Sequence, residues 1–484
     1  MNEGFDLQGR RLPIKLDGTS NGEFLPRPPT PVARLAHRLA LAQAGVVARR
    51  LGLGRRAFLK SLCGAALTLG AVNRACADFG RGGGSFTLPQ ESFFEPAAAD
   101  EALGGNQLVF DVQGHHVNPQ GAWRRLSNRW TYILRFFPQS DCGAGAVDCF
   151  SAEHFIREVF LDSDTSLAVL SMVPAGPGDE PLLTEEAAAT RAMVQAMEGR
   201  DRLMIHALVR PNVPGDLEAM AEHAERHGIA GWKTYTQWGP KRSGYWLDDE
   251  QTGIAFIEQA RALGINVICI HKGISLFGMA QEYSTCRDVG VVAKRYPDVN
   301  FLIYHSGYQL DHEEGPYEPS QAVGVDSLIR SLQDNDVAPN GNVYAELGTT
   351  WRRVMSDHQQ AAHLLGKLFR YLGEDNVLWG TDSIWYGSPQ DQIQAFRSFQ
   401  ISSDFQERFG YPQITPALRA KVLGLNAVRA YRLSAQELRR RLGDDRVARV
   451  KAEYRQDPDP SFLTNGPRTR REFLALCRAQ RGLP

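Results

Sequence analysis

The sequence predicts an α/β chain built on a (β/α)8 TIM barrel, with an N-terminal export signal and a C-terminal helical extension. Three observations carry that expectation. Eight short apolar runs recur between Leu108 and Asp382. Segments of helical period separate them. Polar residues recur at the C-terminal ends of the runs, where a barrel gathers its chemistry.

The runs are LVFDV, LAVLSMV, LMIHALV, GIAGWKTY, INVICIH, NFLIYH, NVYAELG and NVLWGTD. Between them, "TEEAAATRAMVQAM" opens with Thr184 as an N-cap and Glu186 in the first turn. "DLEAMAEHAERHG" ends at Gly228, a fitting residue just past a helix end. Strands alternating with helices make a parallel sheet, and eight units at this length favour a closed barrel. An open doubly wound sheet would carry a Gly-x-Gly-x-x-Gly turn after its first strand, and "DVQGHHV" lacks it.

The 484 residues are 43% apolar and 23% charged, ordinary values for a globular protein. The net charge of -1 hides an asymmetry: residues 1–77 hold 12 Lys/Arg against 4 Asp/Glu. The remainder is therefore acidic, which excludes a nucleic-acid binder relying on a basic face. In "GRRAFLKSLCGAALTLGAVNRACA", Arg55-Arg56 and Phe58-Leu59-Lys60 precede an apolar stretch, Leu62 to Val72, and then Ala75-Cys76-Ala77. This reads as a twin-arginine signal with a cleavage site. The stretch is too short to span a bilayer comfortably, so no stable membrane span is expected after cleavage. A basic amphipathic helix that stays attached is the alternative. The expected location is periplasmic or secreted.

The domain plan follows: 1–77 leader and signal, 78–107 a Gly/Pro/Ala-rich linker, 108–433 the barrel, 434–484 a charged helical tail. Asn118 to Phe150 interrupts the first strand-helix pair with Trp123, Trp130, Tyr132, Phe136 and Phe137, a set able to roof a pocket. Of seven cysteines, Cys142 and Cys149 flank "GAGAVD", and an oxidising compartment permits a disulfide there. No CxxC pair points to a zinc knuckle.

The first run ends in Asp111, Gln113 and His115; the third contains His206 and runs into Arg210. The fourth carries Lys233, the fifth ends at His271, the sixth at His305, the seventh near Glu346 and the eighth at Asp382. One histidine at a strand end is usually structural. Three histidines and an aspartate from four strands, all at one end, are not readily a coincidence. A divalent metal at a barrel mouth needs three or four N/O ligands and an open position. It lowers the pKa of bound water, and a nearby His or Asp relays protons.

"DVQGHHV", "GWKTYT", "ICIHKG", "LIYHSG", "LWGTDSIWYGSPQ" and "VLGLNAVRAYRL" together resemble the amidohydrolase superfamily, nearest its amidohydrolase-related branch of aminocarboxymuconate-semialdehyde decarboxylase-like enzymes. The resemblance covers about Leu108 to Leu433. It implies a barrel with one zinc or manganese ion, a small-molecule substrate, and members that commonly form homodimers. Carried over by motif, His115, His271 and Asp382 become metal ligands. His305 becomes the general acid/base or substrate-polarising residue, and Asp382 is a further proton acceptor. Gln113 departs from the pattern, standing where the family has a first histidine. An amide oxygen ligates a hard metal but binds zinc less well than imidazole, which shifts preference toward manganese. The alternative is that Gln113 only hydrogen-bonds a neighbour.

Lys233 is read as binding an anionic substrate group; a carboxylated lysine bridging two metals and an ion pair with Glu346 are the alternatives. Arg210 joins it as a cationic clamp. Trp385 and Tyr386 line the pocket, or else pack on the rim. His116 points to the opposite face by strand alternation. The expected reaction is hydrolysis of an amide, lactone or ester by metal-activated water. The first alternative is non-oxidative decarboxylation of an aromatic or unsaturated acid. The second is a non-catalytic binding protein on the same barrel.

Overall fold

The computed structural model describes residues 12–16, 29–124, 146–199, 202–275, 279–443 and 445–458. A short strand β1 (Gly84–Phe86) precedes the barrel. The barrel strands are β2 (Phe110–Gly114), β3 (Leu167–Leu170), β4 (Leu203–Leu208), β5 (Gly231–Tyr235), β6 (Val267–His271), β7 (Asn300–Tyr304), β8 (Val343–Glu346) and β9 (Val377–Leu378). Each falls on one of the eight predicted runs. A last strand, β10 (Phe399–Ile401), pairs antiparallel with β1.

Neighbouring barrel strands pair in chain order, all parallel. They are buried almost throughout, as expected for a parallel sheet covered by helices. Backbone bonds join the two ends of the sheet. Val112 N–H donates to Trp379 at 3.0 Å, Asp382 N–H to Gln113 at 2.9 Å and His115 N–H to Ser383 at 2.6 Å. A parallel bridge between Gly114 and Ser383 continues the seam. Asp111 stitches it from the side chain, accepting from Thr381 N–H and Gln113 N–H at 3.1 Å each, and from the Thr381 hydroxyl. Closure therefore falls at the strand pair that carries Gln113, His115 and Asp382.

The helix after β3 spans Thr184–Ala196, but Thr184 is not its cap. Leu183 stands at the cap in extended backbone, and the Glu186 carboxylate accepts its N–H at 2.8 Å. The carboxylate thus takes the N–H of the cap residue itself, the Glu half of a capping box, while Leu183 has no hydroxyl to offer the first turn. The helix Asp216–His227 does end at Gly228, which is left-handed at φ 53°. The "LNAVRAYRL" segment packs under the barrel as expected. Asn426 donates to the Glu374 and Val377 carbonyls at 2.8 and 2.9 Å. A side chain at Gly424 would meet the Leu108 carbonyl at 2.2 Å, so this crossing admits glycine alone.

The stretch 78–107, expected as a linker, contains β1 and the helix Pro96–Leu103. Ahead of it lie three helices, α1 (Pro31–Arg50), α2 (Arg55–Leu59) and α3 (Leu62–Asp78). Alanine and leucine side chains of α3 join the same continuous core as the barrel. The tail forms helices over Ala435–Leu442 and Arg446–Tyr454. Among the described residues no helix is long and apolar enough to cross a membrane. Of the expected roof, Trp123 is buried and donates to the Asn118 carbonyl at 2.8 Å. Trp130, Tyr132, Phe136, Phe137 and Cys142 lie outside the described residues. Cys149 is disulfide-bonded.

Candidate metal centre

Four of the side chains singled out in the sequence meet at the C-terminal end of the barrel: His115, His271, His305 and Asp382, with Gln113 among them. All are buried. Each imidazole has its outer nitrogen on a backbone carbonyl. His115 Nδ1 reaches the Ser171 oxygen at 2.6 Å, His271 Nε2 the Ile274 oxygen at 2.6 Å, and His305 Nδ1 the Gly348 oxygen at 2.8 Å. A carbonyl only accepts, so each outer nitrogen carries the hydrogen. That fixes the tautomer and turns the other nitrogen inward.

The inner atoms face one another. His271 Nδ1 lies 3.2 Å from His305 Nε2, and His115 Nε2 lies 3.0 Å from Asp382 Oδ1. Lone pair against lone pair, or against a carboxylate, repels. Each pair needs a positive particle between its members, a proton or a metal ion. Burial lowers His305 to about 4, with Asp382 opposing. Burial and the His305 charge push His271 well below its ordinary range. Neither of these two rings readily takes the proton, and their facing nitrogens suit a nearby cation. For Asp382, burial acts upward, but the hydrogen bond and charge that a proton on His115 Nε2 supplies prevail and hold it below the usual carboxylate range.

Gln113 occupies the middle of this ring of donors. Its Nε2 lies 3.2 Å from Asp382 Oδ1, 3.4 Å from His115 Nε2 and 3.5 Å from His305 Nε2. Its Oε1 is buried with no hydrogen-bond partner. An amide's two ends are alike in shape. Turned over, it presents the oxygen to the donors as a neutral ligand and gives the orphaned side a donor. Among the described residues no trio of His, Cys, Asp or Glu is preset at metal-holding spacing. The chemistry of the set nonetheless fits a divalent ion: inward imidazole nitrogens, one carboxylate and one amide. Replacing Gln113 by histidine is expected to tighten zinc binding on the order of tenfold, because imidazole is the stronger zinc donor. Competition with a chelating dye checks it.

The backbone beneath is strained. His305, Ser306, Thr349 and Asp382 have φ of 65°, 55°, 55° and 60°. Such values cost non-glycine residues about 1–3 kcal/mol each and cluster at functional sites. Local bonds hold them. Glu346 accepts from His305 N–H at 3.0 Å and Gly348 N–H at 2.5 Å, and burial raises its carboxyl to about 8. Thr350 donates to the His305 carbonyl at 3.0 Å. The Thr349 hydroxyl donates to Asp382 Oδ2 at 2.5 Å. Gly380 presses on the Glu346 carboxyl: a side chain there would lie 1.6 Å from Glu346 Oε1. Gly380→Ala is expected to destabilise the protein by about 3 kcal/mol through overpacking, read from the denaturant midpoint.

The other predicted residues divide. Trp385 stacks on His115 with ring centres 5.6 Å apart, and Tyr235 stacks on His271 at 4.8 Å. Tyr386 meets the Thr349 hydroxyl at 3.0 Å. Lys233 is buried in the barrel with its ammonium 3.5 Å from the centre of the Tyr304 ring. Arg210 is not brought to the site as a clamp. Its guanidinium is held by Asp216 at 2.6 Å, Glu180 at 2.7 Å and the Ala175 carbonyl at 2.6 Å. His206 bonds the Tyr431 and Tyr304 hydroxyls at 2.8 and 3.2 Å, away from the centre. His116 points outward to the Thr190 hydroxyl at 2.9 Å. Thr349 was missed by sequence reasoning. Its signal was weak: a Gly-Thr-Thr turn directly after the seventh run.

A family model described as "Amidohydrolase" matches residues 161–433. No curated protein matches. Solved structures do. 5-Carboxyvanillate decarboxylase LigW from Sphingomonas paucimobilis is 12% identical, with a TM-score of 0.42, covering 68% of this chain and 100% of that one. 2,6-Dihydroxybenzoate decarboxylase from Rhizobium is 14% identical at TM-score 0.37, covering 68% and 99%. 4-Oxalomesaconate hydratase LigJ from Rhodopseudomonas palustris is 15% identical at TM-score 0.38, covering 72% and 100%.

Proposed function

The chain belongs to the amidohydrolase family, and on that premise we propose that it is a metal-dependent enzyme that decarboxylates a flat aromatic or unsaturated acid. One observation carries the metal: three imidazoles pinned by backbone carbonyls so that their free nitrogens converge beside Asp382. His115 Nε2, His271 Nδ1 and Asp382 would hold zinc or manganese, with the Gln113 amide as a weak further ligand. When bound, the ion supplies Lewis acidity and polarises substrate oxygen or water.

The chain's own groups do the rest. The stacked Trp385 and Tyr235 rings wall the ligand imidazoles with flat faces, which suits a planar substrate. Lys233 supplies positive charge in the barrel below, favouring a substrate carboxylate. His305, its Nδ1–H fixed on Gly348, turns Nε2 to the centre, where it would pass a proton to the carbon that loses the carboxylate. A second reading, hydrolysis of an amide, lactone or ester, draws on Asp382, which stays ionised and so able to accept a proton from water. The Cys149 disulfide supports a periplasmic or secreted location.

Isotopic carbon dioxide release separates the two reactions. The chain, loaded with manganese or zinc, is incubated with carboxyl-labelled hydroxybenzoates and, in parallel, with lactones, esters and amides. Labelled carbon dioxide is the expected product. Acid release from the second panel with none from the first would overturn decarboxylation in favour of hydrolysis.

A further inference from the structure

The apolar stretch that reads as the core of an export signal is, in the folded protein, part of the core itself. In α3, Ala65, Leu69, Val72 and Ala75 are all but fully buried. The Asn73 side chain brackets β1, donating to the Phe86 carbonyl at 2.8 Å and accepting its N–H at 2.9 Å. The Cys76 thiol reaches the Ser356 carbonyl at 3.7 Å. Arg56 stands exposed while Phe58 and Leu59 are buried. Removal after Ala77 would uncover a contiguous apolar face, which soluble proteins rarely leave open.

A second contact runs from this region to the metal centre. Lys15 is buried against the loop that follows Asp382. Its ammonium donates to the Ser388 carbonyl and pairs with Asp391 Oδ1, both at 3.0 Å, and its backbone N–H bonds Asp391 Oδ2 at 3.0 Å. The two side chains are 4% and 1% exposed, so the pair is dry. Arg352 donates to the Lys15 carbonyl at 3.1 Å and lies 4.5 Å over the Tyr386 ring. Tyr386 meets Thr349, and Thr349 holds Asp382. A continuous series of contacts thus joins Lys15 to the ligand carboxylate.

We propose that the segment carrying residues 12–16 and 29–78 stays on the working protein as a strap, and that Lys15 is a positioning residue setting the Ser383–Pro389 loop and, through Arg352, Tyr386 and Thr349, the Asp382 carboxylate. The link to Asp382 rests on the metal reading above; retention of the strap does not.

The full chain is expressed in a bacterium with twin-arginine export, and the manganese-binding species is weighed intact and titrated with manganese. The expected species retains the residues ahead of Ala77. Lys15→Met is expected to weaken manganese binding at least tenfold at temperatures well below its melting point. Lys15→Arg, which keeps the charge, is expected to stay within about twofold. Should Lys15→Met fail to fold, the Lys15→Met/Asp391→Asn pair, which removes both members of the dry ion pair, takes its place. A species beginning at residue 78 that binds manganese as tightly as the full chain would overturn the proposal. Unchanged affinity in the folded Lys15 variants would overturn the positioning role. If no form binds manganese, the metal reading fails, and the strap is judged by melting: a chain starting at residue 78 that melts with the full chain overturns it.

Discussion

Replacing His271 by alanine is expected to leave a folded protein that no longer holds a divalent metal. His271 sits at the end of β6 with Nε2–H fixed on the Ile274 carbonyl and Nδ1 turned to the centre. The substitution removes a proposed ligand whose direction is already set. Loss of an outer hydrogen-bond partner alone costs about 10- to 100-fold in metal affinity. Loss of the ligand is expected to exceed that range, and turnover follows the metal. The stability cost is smaller, about 1–3 kcal/mol, for the unpaired Ile274 carbonyl. Equilibrium dialysis against manganese, with a melting curve on the same sample, separates the two effects. Undiminished binding in a folded variant would remove His271 from the site.

Asp382→Asn is expected to be equally inactive for a different reason. Shape is conserved, and the Thr349 hydroxyl keeps an oxygen to donate to. What disappears is the negative charge facing His115 Nε2. Metal affinity is expected to fall on the order of 100-fold. The metal-free protein, however, should melt no lower than its parent. An amide N–H can donate to His115 Nε2, where the carboxylate requires an intervening positive particle. A variant that loses both metal and several degrees of stability would show Asp382 to be chiefly a structural anchor.

The barrel was legible because its strands are buried on both faces and so appear as unbroken apolar runs. His115, His271, His305 and Asp382 were legible for a related reason: each is a polar residue ending such a run. What the chain does with backbone atoms was not legible. The carbonyls of Ser171, Ile274 and Gly348 orient the three imidazoles, and a carbonyl has no letter of its own. Arg210 misled because its partners, Asp216 and Glu180, come from a following helix start and a preceding loop. Nothing in a run ending "LVRP" announces them. The stretch Leu62–Val72 supports two readings at once. Small apolar residues serve a signal core and a tightly packed buried helix alike. Thr184 misled by type, since a carboxylate two residues on caps the helix instead.

The most direct test of the central claim is elemental analysis of the purified full chain after reconstitution with manganese and with zinc. The convergent donors predict about one ion per chain in the wild type and close to none in His271→Ala. Absence of either ion from the reconstituted wild type would contradict the account. The Gln113 amide would then be the permanent occupant of the ring of donors, and the barrel would be a binding scaffold.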